Sequence, residues 1–250
     1  MSAPAVEVSG LVVDYDEVRA LDGVDARFEA GRLSAIVGPN GAGKSTLVKA
    51  LVGALRPTAG EIRSFGSALD PRRGALSYVP QRSAVDWDFP VTVRDVVSQG
   101  RFPHCGWFRR LRPQDNAAID AALERTGLTA LADRPIGALS GGQQQRAFLA
   151  RALAHDGAIV LLDEPFAGVD AATEQALLGT LQELRARDRA IIVVHHDLAT
   201  VRAWFDDVLL LNRRTVAQGP VGEVFDPARI QATYGGRLAR FDDGSSMVAP

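Results

Sequence analysis

A glycine-rich stretch between an apolar run and a helical pattern constrains the fold of this chain more than any other feature. Residues 38–46 read Gly-Pro-Asn-Gly-Ala-Gly-Lys-Ser-Thr; a β-rich run at 33–37 leads into them, and residues 45–55 follow with helical apolar spacing. Glycines let successive backbone N–H groups converge on phosphate oxygens, and the first turn of a helix adds the positive end of its dipole. The pattern predicts a strand–loop–helix unit that binds the triphosphate of a nucleotide.

Individual residues of this loop have expected parts in holding ATP. Lys44 is expected to reach the β- and γ-phosphates, Ser45 to bind the accompanying Mg²⁺, and Thr46 to add a phosphate contact. A plain glycine-rich turn before a helix is the alternative, but the strand–loop–helix setting is met as fully as the spacing. The predicted phosphate-binding residues are Gly38, Pro39, Asn40, Gly41, Ala42, Gly43, Lys44, Ser45 and Thr46.

A buried strand that ends in two carboxylates supplies a second part of the predicted site. Residues 159–162 read Ile-Val-Leu-Leu and are followed by Asp163 and Glu164. Ligands bind at the carboxyl ends of strands in sheets of this kind. Asp163 is expected to hold Mg²⁺ through water, and Glu164 to polarise the attacking water as general base. A strand that ends in an exposed acidic turn is the common alternative, which the phosphate loop in the same chain disfavours.

A third motif, Leu-Ser-Gly-Gly-Gln at 139–143, precedes a helical run at 144–154. Ser140 and Gln143 match the Ser-x-x-Gln capping box, so an ordinary helix cap is one interpretation. A cap does not need two consecutive glycines, however, and Gly141 and Gly142 expose bare N–H groups at a positive helix end, where an anion can bind. One triphosphate loop and one separate anion-binding helix end suggest a sandwich, in which this end faces the γ-phosphate held by a second copy.

The order of the elements predicts an α/β fold. Short strands fill the N-terminal region, residues from about 90 to 155 read mainly as helix, and strands alternate with helices from 158 to 211. This alternation indicates a largely parallel sheet with both faces covered. The predicted domain spans 1–234 with a helical lobe at about 90–155, and residues 235–250 are expected to form a frayed tail.

Composition and charge disfavour several other classes of protein. Hydrophobic residues at 46% and charged residues at 23% are ordinary for a soluble globular domain, and the formal net charge of −2 gives no reason to expect nucleic acid as a partner. The single cysteine, Cys105, excludes an internal disulfide and fits a reducing compartment. We expect neither a secretory signal nor a membrane helix, so work at a membrane would require docking onto another subunit.

With these motifs in this order, residues 6–225 resemble the ATP-binding subunits of ATP-binding-cassette (ABC) transporters. The resemblance implies a P-loop NTPase fold with an antiparallel β lobe and an inserted helical lobe, and an ATPase whose two copies close head to tail around two Mg-ATP. It also implies roles for four more residues: Tyr15 stacks on adenine, Gln81 contacts Mg²⁺ and water, Asp170 touches the opposite subunit, and His196 contacts the γ-phosphate.

Each of these four residues has a plainer alternative. Tyr15 could be a strand-end aromatic, and Gln81 a surface turn residue. Asp170 could cap the helix that begins near 171, alone or in addition to its other role. His196 could be a structural histidine; it is preferred over its neighbour His195 because an aspartate follows it.

A finer resemblance narrows the cargo. Residues 81–90, 141–146 and 163–170 look like the corresponding segments of ATPases from manganese, zinc and iron importers. The implied function is to power import of divalent metal cations, manganese or zinc; iron chelates, another cargo, or a non-transport ABC ATPase are the alternatives. The implied partners are a second copy, transmembrane permease subunits and an extracytoplasmic metal-binding protein, with the chain at the cytoplasmic face of the membrane. Trp87 and Phe89 could line the permease-docking groove or belong to the core of the helical lobe.

Overall fold

The computed structural model describes residues 3–70, 74–87, 89–105 and 110–235. Residues 236–250, nearly all of the predicted tail, lie outside these ranges. The described strands are β1 (Val6–Tyr15), β2 (Val18–Phe28), β3 (Leu33–Val37), β4 (Ala59–Ser64), β5 (Ser67–Ala68), β6 (Leu76–Val79), β7 (Ile159–Asp163), β8 (Ala190–Val194), β9 (Asp207–Asn212) and β10 (Arg214–Pro220). The described α-helices are α1 (Lys44–Leu51), α2 (Val93–Ser98), α3 (Pro113–Arg125), α4 (Gly141–His155), α5 (Ala171–Ala186), α6 (Leu198–Trp204), α7 (Val221–Val224) and α8 (Pro227–Tyr234).

The N-terminal strands form an antiparallel sheet in the order β2-β1-β4-β5. Along β1, buried side chains alternate with more exposed ones, the pattern of a sheet that has one covered face. Its buried residues Val6, Val8 and Leu11 share a core with Leu47 and Leu51 of α1. This sheet is the predicted antiparallel β lobe, and it covers the helix that follows the phosphate loop.

The second sheet has six strands in the order β10-β9-β3-β8-β7-β6. All neighbouring pairs are parallel except β10 with β9, which is antiparallel. Residues along β7 alternate between two cores: Val160 and Leu162 join the larger core with the helices, while Ile159 and Leu161 join the core beneath the β lobe. Because both faces are buried, the strand reads as a continuous apolar run, and the predicted parallel sheet is confirmed.

Between β6 and β7 the chain is helical, as the sequence predicts. Val97 of α2, Leu123 of α3 and Phe148 of α4 lie in the same core cluster. Helix α2 begins with a capping box between Thr92 and Asp95, which satisfies backbone groups at its start. The predicted helical lobe is therefore present. Within the described residues, no helix combines the length and hydropathy that crossing a membrane requires.

Several elements differ from the sequence-based expectation. Helix α1 ends at Leu51 rather than near 55, because Gly53 adopts a left-handed φ of 71° just beyond it. Residues 99–104 form a short 3-10 helix that was not predicted. Helices α7 and α8 do not appear among the predicted elements. Strand β10 does not either, because residues 214–220 alternate too weakly in polarity to indicate a strand at the edge of a sheet.

Candidate nucleotide site

The carboxyl ends of neighbouring parallel strands bring the predicted motifs together. Val194, at the end of β8, pairs with Ile36 of β3 on one side and with Asp163 of β7 on the other. The phosphate loop follows β3, and the histidine pair at 195–196 follows β8. Gln81 lies two residues beyond the end of β6, the neighbour of β7. Motifs that are far apart in sequence therefore meet at the carboxyl ends of the parallel strands.

Two glycines of the phosphate loop occupy positions where no side chain fits. A Cβ on Gly38 would lie 2.0 Å from the carbonyl oxygen of Leu211 in β9. Gly43 has a φ of 92°, and a Cβ there would lie 2.4 Å from Cδ2 of Leu21 and 2.8 Å from the carbonyl oxygen of Ala20. The loop is thus packed directly against β2 and β9, which explains why its spacing requires glycine at these points.

Lys44, the first residue of α1, folds back over the loop. Its Nζ donates to the carbonyl oxygens of Gly38 at 2.7 Å and Pro39 at 3.0 Å. Burial lowers the pKa of the Lys44 ammonium, and the carboxylates of Glu164 and Asp163 offset part of that effect. A triphosphate held by the loop would offer this ammonium anionic oxygens in place of the two carbonyls.

The two acidic residues after the β7 apolar run have different surroundings. Asp163 is only 7% exposed, and burial, followed by the neighbouring charge of Glu164, raises its pKa to about 6. Glu164 has a φ of 50°, a left-handed backbone that is uncommon for a residue with a side chain and is typical of functional turns. Its Oε2 accepts a 2.7 Å hydrogen bond from Nε2 of Gln81, so the predicted base and the predicted mobile glutamine are in contact.

One open cleft of about 500 Å³ joins most of the predicted residues. Tyr15, which is 40% exposed, lies in its lining together with the phosphate loop from Asn40 to Thr46 and with Gln81 and Glu164. Gly38, Pro39, Asp163, His196 and the segment 140–143 are not part of the lining. The remaining lining residues, which the sequence did not single out, are Val18, Arg19, Ala20 and Arg213.

The motif at 139–143 forms the start of α4. The hydroxyl of Ser140 accepts from the backbone N–H of Gln143 at 3.4 Å, and the side chain of Gln143 accepts from the N–H of Ser140 at 3.0 Å. The helix-cap interpretation is therefore confirmed. No acidic residue lies in the first turn, so the positive end of the α4 dipole is not neutralised locally.

Comparison with known proteins identifies the family. The chain matches the family model for ABC transporters over residues 21–167, more than half of its length. The chain belongs to the ABC transporter family. It is an ATPase subunit of that family, and the predicted P-loop ABC ATPase fold is confirmed.

Three relatives of this ABC ATPase cover nearly all of it. The chain is 50% identical over 238 residues to the zinc transport system ATP-binding protein TroB of Treponema pallidum (strain Nichols), covering 95% of this chain and 90% of that protein. It is 46% identical over 245 residues to the manganese transport system ATP-binding protein MntB of Halalkalibacterium halodurans, covering 98% of each. The solved structure of cbiO1 from Clostridium perfringens, part of the ABC transporter complex cbiONQ, matches with a TM-score of 0.76 at 30% identity, covering 92% of this chain and 94% of that one.

The two adjacent histidines after β8 of this ABC ATPase have opposite environments. His195 is 2% exposed, shares a 2.7 Å hydrogen bond with Thr200 Oγ1, and contacts the rings of Phe166 and Phe205. Burial lowers its pKa to about 4, so it is neutral and structural. His196 is exposed at the same edge of the sheet. Of the two, only His196 is exposed, and its contact with the γ-phosphate stays a prediction.

The segment after Gln81 packs against the start of α4, a contact that the sequence did not predict. Arg82 Nε donates to Oε1 of Gln144 at 3.1 Å, and a Cβ on Gly141 would lie 3.2 Å from the Arg82 guanidinium carbon. Trp87 donates from Nε1 to the carbonyl of Arg82 and packs edge-on against Phe148, 5.5 Å between ring centroids. Two parts of the ABC motif set are thereby linked within one chain.

Asp170, Trp87 and Phe89 are the remaining residues that the sequence singled out, and they differ in burial and in contacts. Asp170 caps α5, since its carboxylate accepts from the backbone N–H and the hydroxyl of Thr173, both at 2.9 Å. Those bonds, the backbone one first, lower the pKa of Asp170. Trp87 packs against the core, as one alternative expected, whereas Phe89 is 60% exposed and does not belong to it.

Proposed function

We propose that two copies of this chain close head to tail around two Mg-ATP molecules and hydrolyse them. The observation that carries the proposal is the division of the motifs. Tyr15, the phosphate loop, Gln81 and Glu164 line one cleft, whereas the glycine-rich start of α4 lies outside that lining and keeps an unneutralised positive end. In the pair, Ser140, Gly141, Gly142 and Gln143 of one copy would face the γ-phosphate bound by the other.

The residues at the carboxyl ends of the parallel strands have the oxygen ligands that Mg²⁺ prefers. Ser45 offers a hydroxyl in the cleft, and Asp163 offers a buried carboxylate near Lys44 and Glu164. Ser45 would hold the ion directly, Asp163 through water, and Gln81 through its amide oxygen. Bound Mg²⁺ would neutralise charge on the β- and γ-phosphates during transfer.

Within this proposal, Glu164 is the general base. The hydrogen bond from Gln81 restrains its Oε2, so its other carboxylate oxygen is available to take a proton from the attacking water. Lys44 stabilises the charge of the transferred phosphoryl group, and His196 would contact the same group from the end of β8. Catalysis of this kind rests mainly on positioning and charge stabilisation.

We further propose that the ATPase powers import of divalent metal cations, manganese or zinc. The support is that relatives at 50% and 46% identity over nearly the whole chain carry zinc and manganese transport names. Such a subunit would act with two transmembrane permease subunits and an extracytoplasmic metal-binding protein, at the cytoplasmic face of the membrane. Exposed Phe89, close in sequence to Gln81, is a contact we assign to the permease.

Deleting the gene in its own organism tests the cargo. Cellular manganese or zinc, measured by mass spectrometry after growth at limiting metal, should fall and should be restored by the wild-type gene but not by Lys44→Ala. A fall in iron alone would transfer the proposal to iron chelates. A purified wild-type chain that brings no multi-span membrane protein with it would favour a role outside transport.

The Glu164→Gln variant tests the pair. It should bind ATP, hydrolyse it far more slowly, and accumulate as an ATP-bound dimer that light scattering detects. Near-normal turnover would exclude Glu164 as the base. A variant that binds ATP yet stays monomeric at every concentration would argue against the shared site.

A further inference from the structure

Arg19 and Arg213 line the cleft together with Tyr15, and a third arginine, Arg214, follows Arg213 directly in the sequence. Arg19 forms ion pairs with Asp14 at 3.0 Å and Asp22 at 3.1 Å. Arg214 also pairs with Asp22. Among the described residues, no carboxylate or carbonyl partners the Arg213 guanidinium, although Arg213 lines the same cleft as the phosphate loop. The local acids thus pair with two cations, whereas the third belongs to a residue of the cleft lining.

The backbone of Arg213 is fixed to the phosphate loop. Its N–H donates to the carbonyl of Ala42 at 2.8 Å, and its own carbonyl accepts from the N–H of Asp22 at the same distance. The residue forms the tight turn between β9 and β10 with a left-handed φ of 59°. A glycine would adopt this backbone with less strain, so Arg213 occupies the turn at a local conformational cost. The point from which the Arg213 side chain extends is therefore fixed beside the phosphate loop.

The sheet order indicates which end of a nucleotide this cation faces. Strands β9 and β10 lie on one side of β3, while β7 and β6, which carry Glu164 and Gln81, lie on the other. The γ-phosphate belongs at the end near Glu164 and Gln81. Arg213 lies on the opposite side, with Tyr15 and Val18 in the same lining, where the nucleoside would enter. The anionic group of ATP nearest to that end is the α-phosphate.

We propose that the Arg213 guanidinium pairs with the α-phosphate of the bound nucleotide. The inference rests on the proposed function in one respect, that loop 38–46 holds a nucleotide, and it is independent of pairing between copies. Because ATP and ADP share this phosphate, the contact holds substrate and product equally. It contributes to affinity and not to the hydrolytic step.

Substitutions at Arg213 separate a phosphate contact from a structural one. Arg213→Gly removes the guanidinium and suits the left-handed turn, so folding should be preserved; Arg213→Lys keeps a cation. Arg214→Gln is the matched control. It removes an equal charge at the next position in the sequence, from a residue that does not line the cleft. Equilibrium titration of the purified chain with ATP, ADP and adenosine, and competition by AMP, provide the readout.

In Arg213→Gly, the Kd values for ATP, ADP and AMP should rise by a common factor of about tenfold, with adenosine binding and kcat at saturating ATP unchanged. Arg213→Lys should recover part of the loss, and Arg214→Gln should bind like wild type. Unchanged Kd values in Arg213→Gly, an equal loss for adenosine, or an equal loss in Arg214→Gln would overturn the assignment. A Lys44→Ala chain that binds ADP like wild type would instead refute the nucleotide loop itself.

Discussion

Replacing Gly38 with alanine tests the packing that shapes the phosphate loop. The added Cβ would lie 2.0 Å from the carbonyl oxygen of Leu211 and 3.1 Å from Cβ of Ala42. The first distance is about 1 Å below the shortest that Cβ atoms keep, and the opposing atom is backbone of a central strand. Relief therefore requires the loop to move, at a cost of roughly 1–3 kcal/mol or more, as for other overpacked cores.

That cost converts to a measurable loss. At roughly 2–4 °C per kcal/mol for a domain of this size, the thermal midpoint of Gly38→Ala should fall by about 2–12 °C, and its Kd for ATP should rise at least about tenfold. Differential scanning calorimetry and equilibrium ATP titration measure the two quantities on the same sample.

Gly179 offers a matched control in the same chain. It lies inside α5 with nothing within 4 Å of an added Cβ. Gly179→Ala should stabilise the chain by about 0.5–1 kcal/mol, because alanine is favoured in helix interiors, and should leave ATP binding unchanged. The reasoning is refuted if Gly38→Ala binds ATP like wild type or if the two variants shift the thermal midpoint in the same direction.

Three further predictions address the site. Because burial and Glu164 raise the pKa of Asp163 to about 6, this carboxyl is mostly protonated below that pH and mostly ionised above it; the Mg²⁺ concentration that half-saturates hydrolysis should rise about fivefold from pH 6 to 5, and a flat profile would contradict this. Ser140→Trp should abolish hydrolysis while the monomer keeps its Kd for ATP, whereas lost monomer binding would argue against a shared site. Arg82→Ala should lower kcat severalfold with a fall in the free energy of unfolding of only about 0.5–1.5 kcal/mol, since it removes the hydrogen bond from Arg82 to Gln144 at the start of α4; equal loss in the exposed control Arg94→Ala would assign the effect to stability alone.

Much of the fold could be predicted because its signals are local. The apolar runs of β3, β7 and β8 are continuous, and a predicted motif follows each of them directly. The same few positions therefore indicate the strand, the residue at which it ends and the candidate site residue. The cap at Ser140 also followed from a four-residue pattern. Strand β10 escaped because it lies at a sheet edge, where half-exposed side chains remove the alternation that marks a strand.

The contacts that complete the site could not be predicted, because they join residues distant in sequence. Gln81 and Glu164 are separated by 83 positions, and their hydrogen bond depends on β6 lying beside β7. The ion pair of Arg214 with Asp22 joins residues that are 192 positions apart. The local sequence around each of these residues does not indicate which residue it contacts.

The central claim is that one chain holds ATP but only a pair hydrolyses it. The most direct measurement is ATPase activity per chain as a function of chain concentration, at saturating Mg-ATP, with light scattering on the same samples. The account predicts activity per chain that falls toward zero as the chain becomes monomeric and rises with the dimer fraction to a plateau. Constant activity per chain across concentrations at which light scattering finds only monomer would contradict it.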